Sequence, residues 1–181
     1  MLGSSSVSRK LKNKYFRDKE EVSYQFLMER VRHNKPFRKE DLRNGKMILA
    51  AYSPKDNKSP YDKNPLILII YRTSRHILGL NLHWLPPKGR VLILRLLFQY
   101  NANNIRMNNP LEVSSALSKQ FWRLARPIFR KYIVSRLSRR GVVVQPHEMD
   151  KIIMLPSERF IGISSTQAYL LSLSKLRQGN W

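Results

Sequence analysis

Cysteine is absent from this sequence of 181 residues, and acidic residues are scarce beside basic ones. Without cysteine there is no disulfide framework, no thiolate metal site and no cysteine nucleophile, which fits a reducing compartment. Only 12 acidic residues stand against 34 lysines and arginines, so the net charge is +22. Such a surplus favours a negatively charged partner, namely nucleic acid, an anionic membrane or an acidic protein surface.

Long apolar runs are also missing. Runs such as residues 66–71 and 91–94 are short, whereas a helix that crosses a bilayer needs about 20 apolar residues. The first 14 residues are rich in serine, lysine and asparagine, so we expect no secretory signal and a disordered arm. The rest of the chain can form a core, because 42% of all residues are apolar. The length suits one domain with extensions.

Catalytic signatures are missing as well: the sequence has no P-loop, GxGxxG, HExxH or GxSxG pattern. The four histidines do not form a metal-ligand pattern; they are His33, His76, His83 and His147. Asp56 and Asp62 lack the further acids that a two-metal nuclease site requires, since Glu112 is the only acid between residues 63 and 147. We therefore expect no enzyme, no cofactor and no metal site.

The basic residues are concentrated in the middle of the chain. Residues 63–147 hold 15 lysines and arginines against one acid, whereas residues 1–46 hold 13 basic and 6 acidic residues. The strongest signal is the stretch 119–140, which has eight basic residues and no acid. Solvated helix faces normally mix charges of both signs, so this stretch favours a functional electrostatic role.

Helical spacing places four of these cations, Lys119, Arg123, Arg126 and Arg130, on one face, if the stretch is a helix. Pro127 allows either one kinked helix or a second helix that begins near it. The guanidinium group binds phosphate or carboxylate in a bidentate manner. The predicted surface for a polyanion or an acidic partner comprises Lys119, Arg123, Arg126, Arg130, Lys131, Arg136, Arg139 and Arg140.

Apolar periodicity predicts an α+β fold. Strands are predicted at 46–53, 66–71 and 77–84, with Gly79 as a bend, and short strands at 142–144 and 151–155. Helices are predicted at 18–33, 88–100 and 164–176, although a strand is an alternative for 88–100 because Val91 and Ile93 are β-branched. The expected core is a small antiparallel β-barrel or sheet of SH3-like size with flanking helices.

We expect three segments: a basic N-terminal arm with one helix (1–45), a core with basic helices (46–163) and a C-terminal helix or tail (164–181). The loop 53–65 contains Pro60 and Pro65, which stiffen it, and Tyr61 and Asp62, which can fix it by ring packing and an Asx-type turn. This loop is typical of a structural brace.

Several stretches together carry a family resemblance: SPKDNKSPYDKNPLILII, GLNLHWLPPKGRVLILRLL, RKYIVSRLSRR and VVVQPHEMDKIIMLPSERFIG. The chain resembles, from about residue 15 to residue 162, a family of small proteins of contractile-tailed phages related to the T-even group. Its members are commonly labelled DNA end protectors, and some are considered tail or baseplate components. The chain departs from the family pattern in three places: the loop has one tyrosine, Tyr61, instead of two, Asn64 replaces an aromatic residue, and Trp84 replaces a tyrosine.

The resemblance implies structural roles for the motif residues Tyr52, Pro60, Tyr61, Asp62, Pro65, Gly79, Asn81, His83 and Pro86. It also implies a non-enzymatic structural virion protein of a bacteriophage. We expect a tail or baseplate component whose basic surfaces bind neighbouring subunits in a symmetric ring. The alternative is a DNA-binding protein that protects packaged genome ends, with double-stranded DNA as partner. Both place the protein in the virion after assembly in the host cytoplasm, without a membrane or a small-molecule substrate.

Overall fold

The computed structural model describes residues 35–56, 59–101, 119–145, 148–155 and 157–178, together with Gln25 and Glu29. The described strands are β1 (Met47–Tyr52), β2 (Tyr61–Asp62), β3 (Leu66–Arg72), β4 (His76–Asn81), β5 (Phe129–Ile133), β6 (Leu137–Val144) and β7 (Phe160–Ile161). The described α-helices are α1 (Pro87–Asn101), α2 (Lys119–Ala125), α3 (Met149–Met154) and α4 (Ser165–Gln178). Short 3₁₀ helices cover Lys39–Leu42, Leu82–Trp84, Arg126–Ile128 and Val134–Arg136. The predicted α+β class is confirmed.

Five of the strands form one antiparallel sheet in the order β5-β4-β3-β1-β6, and β2 pairs with β7 separately. One row of apolar residues crosses all five strands in register: Phe129, Leu80, Leu68, Met47 and Val144. Gly79 is required within β4, because an added Cβ would lie 2.5 Å from Ile67 Cγ2 and 2.8 Å from the Leu68 carbonyl oxygen. The register of β3 against β4 shifts beside this close approach.

The sheet is curled. Strands β5 and β6 lie at opposite edges, yet only the three residues Val134–Arg136 join them. Outer strands of a flat five-stranded sheet are about 19 Å apart, whereas this connection spans at most about 14 Å. The curl brings Tyr52 and Tyr132 together, with ring centroids 5.0 Å apart. The described strands β5 and β6 do not pair, so the predicted barrel is not closed, and its SH3-like character stays a prediction.

Alternation along the strands divides the apolar side chains between two layers. Met47, Leu49, Leu66 and Leu68 belong to the main core, where they meet residues of the helices α1, α2 and α3. The intervening residues face the second, smaller cluster, which comprises Leu42, Ile48, Ala50, Ile67, Ile69, Ile77, Tyr132 and Leu137. Because both faces of the central strands are covered, β3 is a continuous apolar run, as expected from its sequence.

Local signals account for several element ends. The side chain of Asn81 accepts a hydrogen bond from the His83 N–H, which ends β4 and begins the 3₁₀ helix Leu82–Trp84. The helix α4 begins with a capping box, because the Gln167 N–H donates to Ser164 Oγ and the Ser164 N–H donates to Gln167 Oε1. Gly45 adopts a φ of 79° in the turn before β1, a conformation that favours glycine.

Three secondary-structure predictions are wrong, the first of them only in part. The predicted strand 77–84 ends at Asn81 because of the Asn81 cap. The predicted strand 151–155 is the helix α3, since Ile152 and Ile153 are both buried and a strand would turn them to opposite faces. The helix predicted after Pro127 is instead strand β5 and the first part of β6, whereas the strand predicted at 142–144 is confirmed as the end of β6. The predicted arm 1–14 and the predicted helix 18–33 lie outside the described residues, apart from Gln25 and Glu29.

Candidate nucleic-acid interface

The predicted helical face of four cations does not exist. Lys119 and Arg123 belong to α2, Arg126 begins a 3₁₀ helix, and Arg130 lies in strand β5. Pro127 ends the α-helical hydrogen bonding because it has no N–H group. The β-branched and aromatic residues that follow, including Tyr132 and Ile133, then favour an extended chain. The prediction of a single basic helix face is therefore wrong.

Arg130 is engaged within the fold. Its guanidinium carbon lies 4.6 Å from the ring centroid of the buried Trp84. Its Nη1 donates to the carbonyl oxygens of Pro127 and Phe129, both at 2.8 Å. Burial lowers the pKa of this guanidinium from its usual value, against the opposing influence of Tyr132. Arg130 therefore stabilises the approach to β5 rather than extending into solvent.

The other described cations of the predicted surface form two groups. Arg123, Arg126 and Lys131 are exposed at or near strand β5. Arg136, Arg139 and Arg140 are exposed at the start of and along strand β6. The eight predicted residues are thus spread over one α-helix, two 3₁₀ helices and two strands, and they do not form one helix face. Nothing is described of the Lys119 side chain.

Two further cations join the β6 group from a distant part of the sequence. Pro36 forms an antiparallel bridge with Arg140, and the Phe37 N–H donates to the Arg139 carbonyl oxygen at 2.7 Å. The exposed side chains of Lys35 and Arg38 are thereby placed along the same edge. We call this group the β6-edge surface; it comprises Lys35, Arg38, Arg136, Arg139 and Arg140. Sequence reasoning missed Lys35 and Arg38, because the pairing joins residues about 100 positions apart.

Phe37 fixes that pairing. Its ring lies over Gly141 of β6, at the position where a Cβ would otherwise project. The ring also packs against the smaller apolar cluster. Asp41 holds the next turn, because its carboxylate accepts the Arg38 N–H at 2.8 Å. This backbone hydrogen bond is the main reason that the pKa of Asp41 lies below its usual value. The chain before β1 is thus held against β6 by packing and by hydrogen bonds.

A second group of polar residues is buried. His83 Nδ1 lies 2.6 Å from Asp62 Oδ2, and His83 Nε2 lies 2.9 Å from Ser157 Oγ. A carboxylate only accepts, so Nδ1 carries the proton; when the ring is neutral, Nε2 accepts from the serine hydroxyl. Asp62 Oδ1 accepts the backbone N–H groups of Asn64 and Arg159, at 3.0 and 3.2 Å. These bonds join β2, the end of β4 and the segment before β7.

The order serine–histidine–aspartate matches the arrangement of a hydrolase triad. The exposed fractions are 1% for Ser157, 0% for His83 and 3% for Asp62, so a substrate has no access to the serine. A nucleophile requires room for the reacting carbonyl beside its hydroxyl. In this fold the three side chains act as a brace that joins three chain segments. Ser157 was not singled out in the sequence.

Beside this brace lies a buried ion pair. Arg90 is fully buried; its Nε donates to the Leu85 carbonyl oxygen at 2.8 Å, and its Nη1 donates to those of Ile153 and Leu155, at 3.1 and 3.2 Å. Its Nη2 lies 3.1 Å from Glu158 Oε2, a Coulombic contact without hydrogen-bond alignment. The same Nη2 donates to the Tyr169 hydroxyl, which donates to Glu158 Oε1.

The charges in this cluster determine its titration. Burial alone would raise the pKa of Glu158, but Arg90, His83 and the Tyr169 hydroxyl together lower it below its usual value. Burial and the neighbouring Glu158 raise the pKa of Tyr169. The glutamate therefore stays ionised next to the arginine, and the pair connects α1, the segment before β7 and α4. One signal in the sequence pointed here: Arg90 shares a helical face with Leu94 and Leu97.

The motif residues taken as structural lie around the same brace or in the sheet. Asp62, Pro65, Gly79, Asn81 and His83 are buried, whereas Tyr61 and Pro86 are partly exposed and Pro60 is exposed. Tyr61 pairs with Ile161 in the small sheet of β2 and β7. The Pro86 carbonyl oxygen accepts the N–H groups of Gly89 and Arg90 at the start of α1. Their structural roles stay a prediction that mutation can test.

Metal-ligand groups and membrane-spanning helices are two features that bear on the class of protein. In the part of the chain that the structure describes, no three histidine or acidic residues come together as metal ligands. None of the described helices combines the length and the apolar character that crossing a membrane requires.

Comparison with known proteins identifies the family. The model of the family described as phage T4 terminal DNA protecting protein matches residues 4–172, which is most of the chain. No curated protein and no solved structure matches the sequence. The resemblance seen in the sequence motifs is thus confirmed, and the chain belongs to the phage T4 terminal DNA protecting protein family.

Proposed function

We propose that this phage protein binds the ends of linear double-stranded DNA and shields them from exonucleases. This is the alternative of the sequence analysis, and the family match supports it better than a tail or baseplate role. The observation that carries the proposal is the β6-edge surface, where cations from two distant segments lie exposed along one edge of the sheet. Duplex DNA is the dense polyanion that such a surface fits.

The mechanism requires no chemistry on the DNA. Exposed lysines and arginines replace condensed counterions on the phosphates, so affinity falls steeply with salt concentration. Contacts to phosphates position a protein without reading the base sequence. A protein bound at a DNA terminus covers the strand ends, and an exonuclease must start its digestion there. We infer a non-enzymatic role, because the one triad-like arrangement among the described residues is buried.

The experiment compares linear and circular DNA. We expect the purified full-length protein to protect a blunt-ended linear duplex from an exonuclease, and salt to abolish this protection. A restriction endonuclease that cuts internally serves as the control, since end protection leaves its rate unchanged. Equal competition by covalently closed circles and by linear DNA would contradict an end-binding role. Absence of binding at 0.15 M salt would contradict the proposed function altogether.

A second candidate function is attachment to neighbouring virion subunits, and a different observation supports it. The helix α4 exposes Leu170, Leu171 and Leu173, with exposed fractions of 60%, 45% and 37%, while its smaller Ala168 and Ser172 are buried. Exposed leucines of this kind are a feature of protein contact surfaces. A tail or baseplate location in a symmetric ring is the specific form proposed from the sequence. Detection of the protein in purified DNA-free tails supports it, and its restriction to DNA-filled heads contradicts it.

A further inference from the structure

We infer that the phosphates of bound DNA contact the β6-edge surface, and that Phe37 positions this surface. The inference rests on the proposed function and assigns the binding to one edge of the sheet. It names Lys35, Arg38, Arg136, Arg139 and Arg140 as the phosphate-binding residues, with Phe37 as an uncharged positioning residue. The basic side chains near β5 then contribute less to DNA binding.

Two extended segments carry most cations of the β6-edge surface. Strand β6 pairs with β1 on both sides of Arg139 and Arg140, at Gly141–Val144 and again at Leu137, and the register shifts between these two places. On its outer side the bridge at Pro36 and the Phe37 N–H bond hold a second extended segment. Cations on a preorganised scaffold lose little backbone entropy when they bind. The β6-edge surface is therefore prepared for a regular polyanion.

The cations near β5 are arranged differently from those of the β6-edge surface. There Arg130 lies over Trp84 and donates to two carbonyl oxygens, which leaves Arg123, Arg126 and Lys131 as the exposed cations. These three belong to three different elements, an α-helix, a 3₁₀ helix and a strand. The β6-edge surface has five exposed cations, and four of them lie on the two segments joined by the Pro36–Arg140 bridge, with Arg136 at the end of the 3₁₀ helix before β6. Asp41 lies close to one of them, with its Oδ2 3.5 Å from Arg38 Nε.

Substitution of Phe37 tests the inference without changing any charge. The ring lies over Gly141, so it connects the segment with Lys35 and Arg38 to the strand with Arg139 and Arg140. Removal of the ring frees the outer segment while every charge remains. A purely electrostatic surface without defined geometry would be insensitive to that change.

The alternative for these charges is protection of a sheet edge. Lysine and arginine on an edge strand prevent pairing with a second molecule. In that case their neutralisation causes self-association and leaves DNA binding unchanged. Measuring both properties on the same variants separates the two roles.

The test measures binding of the full-length protein to a fluorescent blunt-ended duplex by anisotropy, between 0.05 and 0.3 M salt. The double variant Arg139→Gln/Arg140→Gln is compared with Arg123→Gln/Lys131→Gln, which removes the same charge near β5. Losing two phosphate contacts lowers the slope of log K against log salt by about 1.8, so the first variant binds about thirtyfold more weakly at 0.15 M salt. The second changes affinity by less than about threefold. Circular dichroism and melting temperature verify folding.

Phe37→Ala is expected to weaken binding and to lower the salt slope by about one to two units, because Lys35 and Arg38 no longer meet the phosphates together with the strand. Phe37→Leu restores most of the slope, since an apolar side chain over Gly141 can still hold the segment. A merely structural role of Phe37 changes the melting temperature but not the slope.

The outcomes are separable. Wild-type binding combined with equal losses in the two double variants overturns the assignment and leaves the proposed function standing. Unchanged affinity with increased self-association of Arg139→Gln/Arg140→Gln also overturns it, in favour of edge protection. Absence of wild-type binding overturns the proposed function itself.

Discussion

Arginine serves two opposite purposes in this protein. Arg90 is fully buried between α1 and the segments around α3 and α4, where carbonyl oxygens, Tyr169 and Glu158 surround its guanidinium. Arg139 and Arg140 are exposed on the outer strand of the sheet. The same side chain is thus a structural component in the first region and a candidate ligand for phosphate in the second. Net charge alone does not distinguish these roles; burial and partners do.

The buried region and the exposed surface differ in how much their charges contribute to the free energy of folding. A buried charge is tolerated only with its partners in place, so each member depends on the others. An exposed cation is solvated by water in any case and contributes little to folding. Mutations in the buried region should therefore change stability, and mutations on the β6-edge surface should change binding.

Arg90→Met is expected to destabilise the protein by about 3–5 kcal/mol, because it leaves the buried Glu158 without its cation. Urea unfolding followed by circular dichroism measures the change. Arg95→Met is the matched control, since Arg95 is exposed on the same helix α1. The double variant Arg90→Met/Glu158→Leu should recover part of the loss, but not all, because three carbonyl oxygens still lose a donor. Equal losses of stability for Arg90→Met and Arg95→Met would contradict the distinction between buried and exposed arginines.

His83→Phe is expected to cost about 3 kcal/mol, because Asp62 Oδ2 and the Ser157 hydroxyl lose their common partner inside the protein. The same substitution at His76, which is half-buried at the start of β4, provides the control and should be nearly neutral. Thermal unfolding of both variants gives the difference. A stable His83→Phe variant would show that the brace does not hold the segment before β7.

The sequence predicted the central part of the fold well. The strands at 46–53 and 66–71 and the helices at 88–100 and 164–176 were recognised, because apolar periodicity is strong there and each element is bounded by proline, glycine or a capping residue. The strand predicted at 142–144 lies within β6, but the prediction failed between Pro127 and Gly141, where charged residues at helical spacing concealed β5 and the first part of β6. Apolar periodicity was the more informative of the two patterns.

The candidate site was predicted only in part. Arg136, Arg139 and Arg140 were included, but they were assigned to the same surface as Arg123, which lies on α2 near the opposite edge. Lys35 and Arg38 were missed, because a bridge between Pro36 and Arg140 is set by tertiary pairing and leaves no local signal. Non-local pairing is the information that periodicity lacks.

Glu158→Gln tests the buried ion pair through the pH dependence of stability. The folded-state pKa of Glu158 is lowered, so its contribution to stability is present above its unfolded pKa of about 4.3 and is lost as pH falls through the folded value. We expect the wild type to be more stable than the variant at pH 7, and the gap to narrow as the pH falls below 4.3, where the wild-type side chain becomes neutral too. Urea midpoints at several pH values measure it. A constant gap would mean that the ion pair with Arg90 contributes no charge-dependent stability.

Arg139→Gln/Arg140→Gln gives the smallest expected change in stability, within about 0.5 kcal/mol of wild type. Both side chains are exposed, and exposed ionic contacts contribute little because water and salt screen them. Neutralising two cations on a chain of net charge +22 also relieves some self-repulsion, which acts in the stabilising direction. Urea unfolding at 0.15 M salt measures the change. A loss above about 1 kcal/mol would exceed what exposed contacts contribute, which would give these arginines a structural part like that of Arg90. A small change together with weakened DNA binding would instead separate the two regions fully, since stability would then reside in the buried pair and binding at the edge of the sheet.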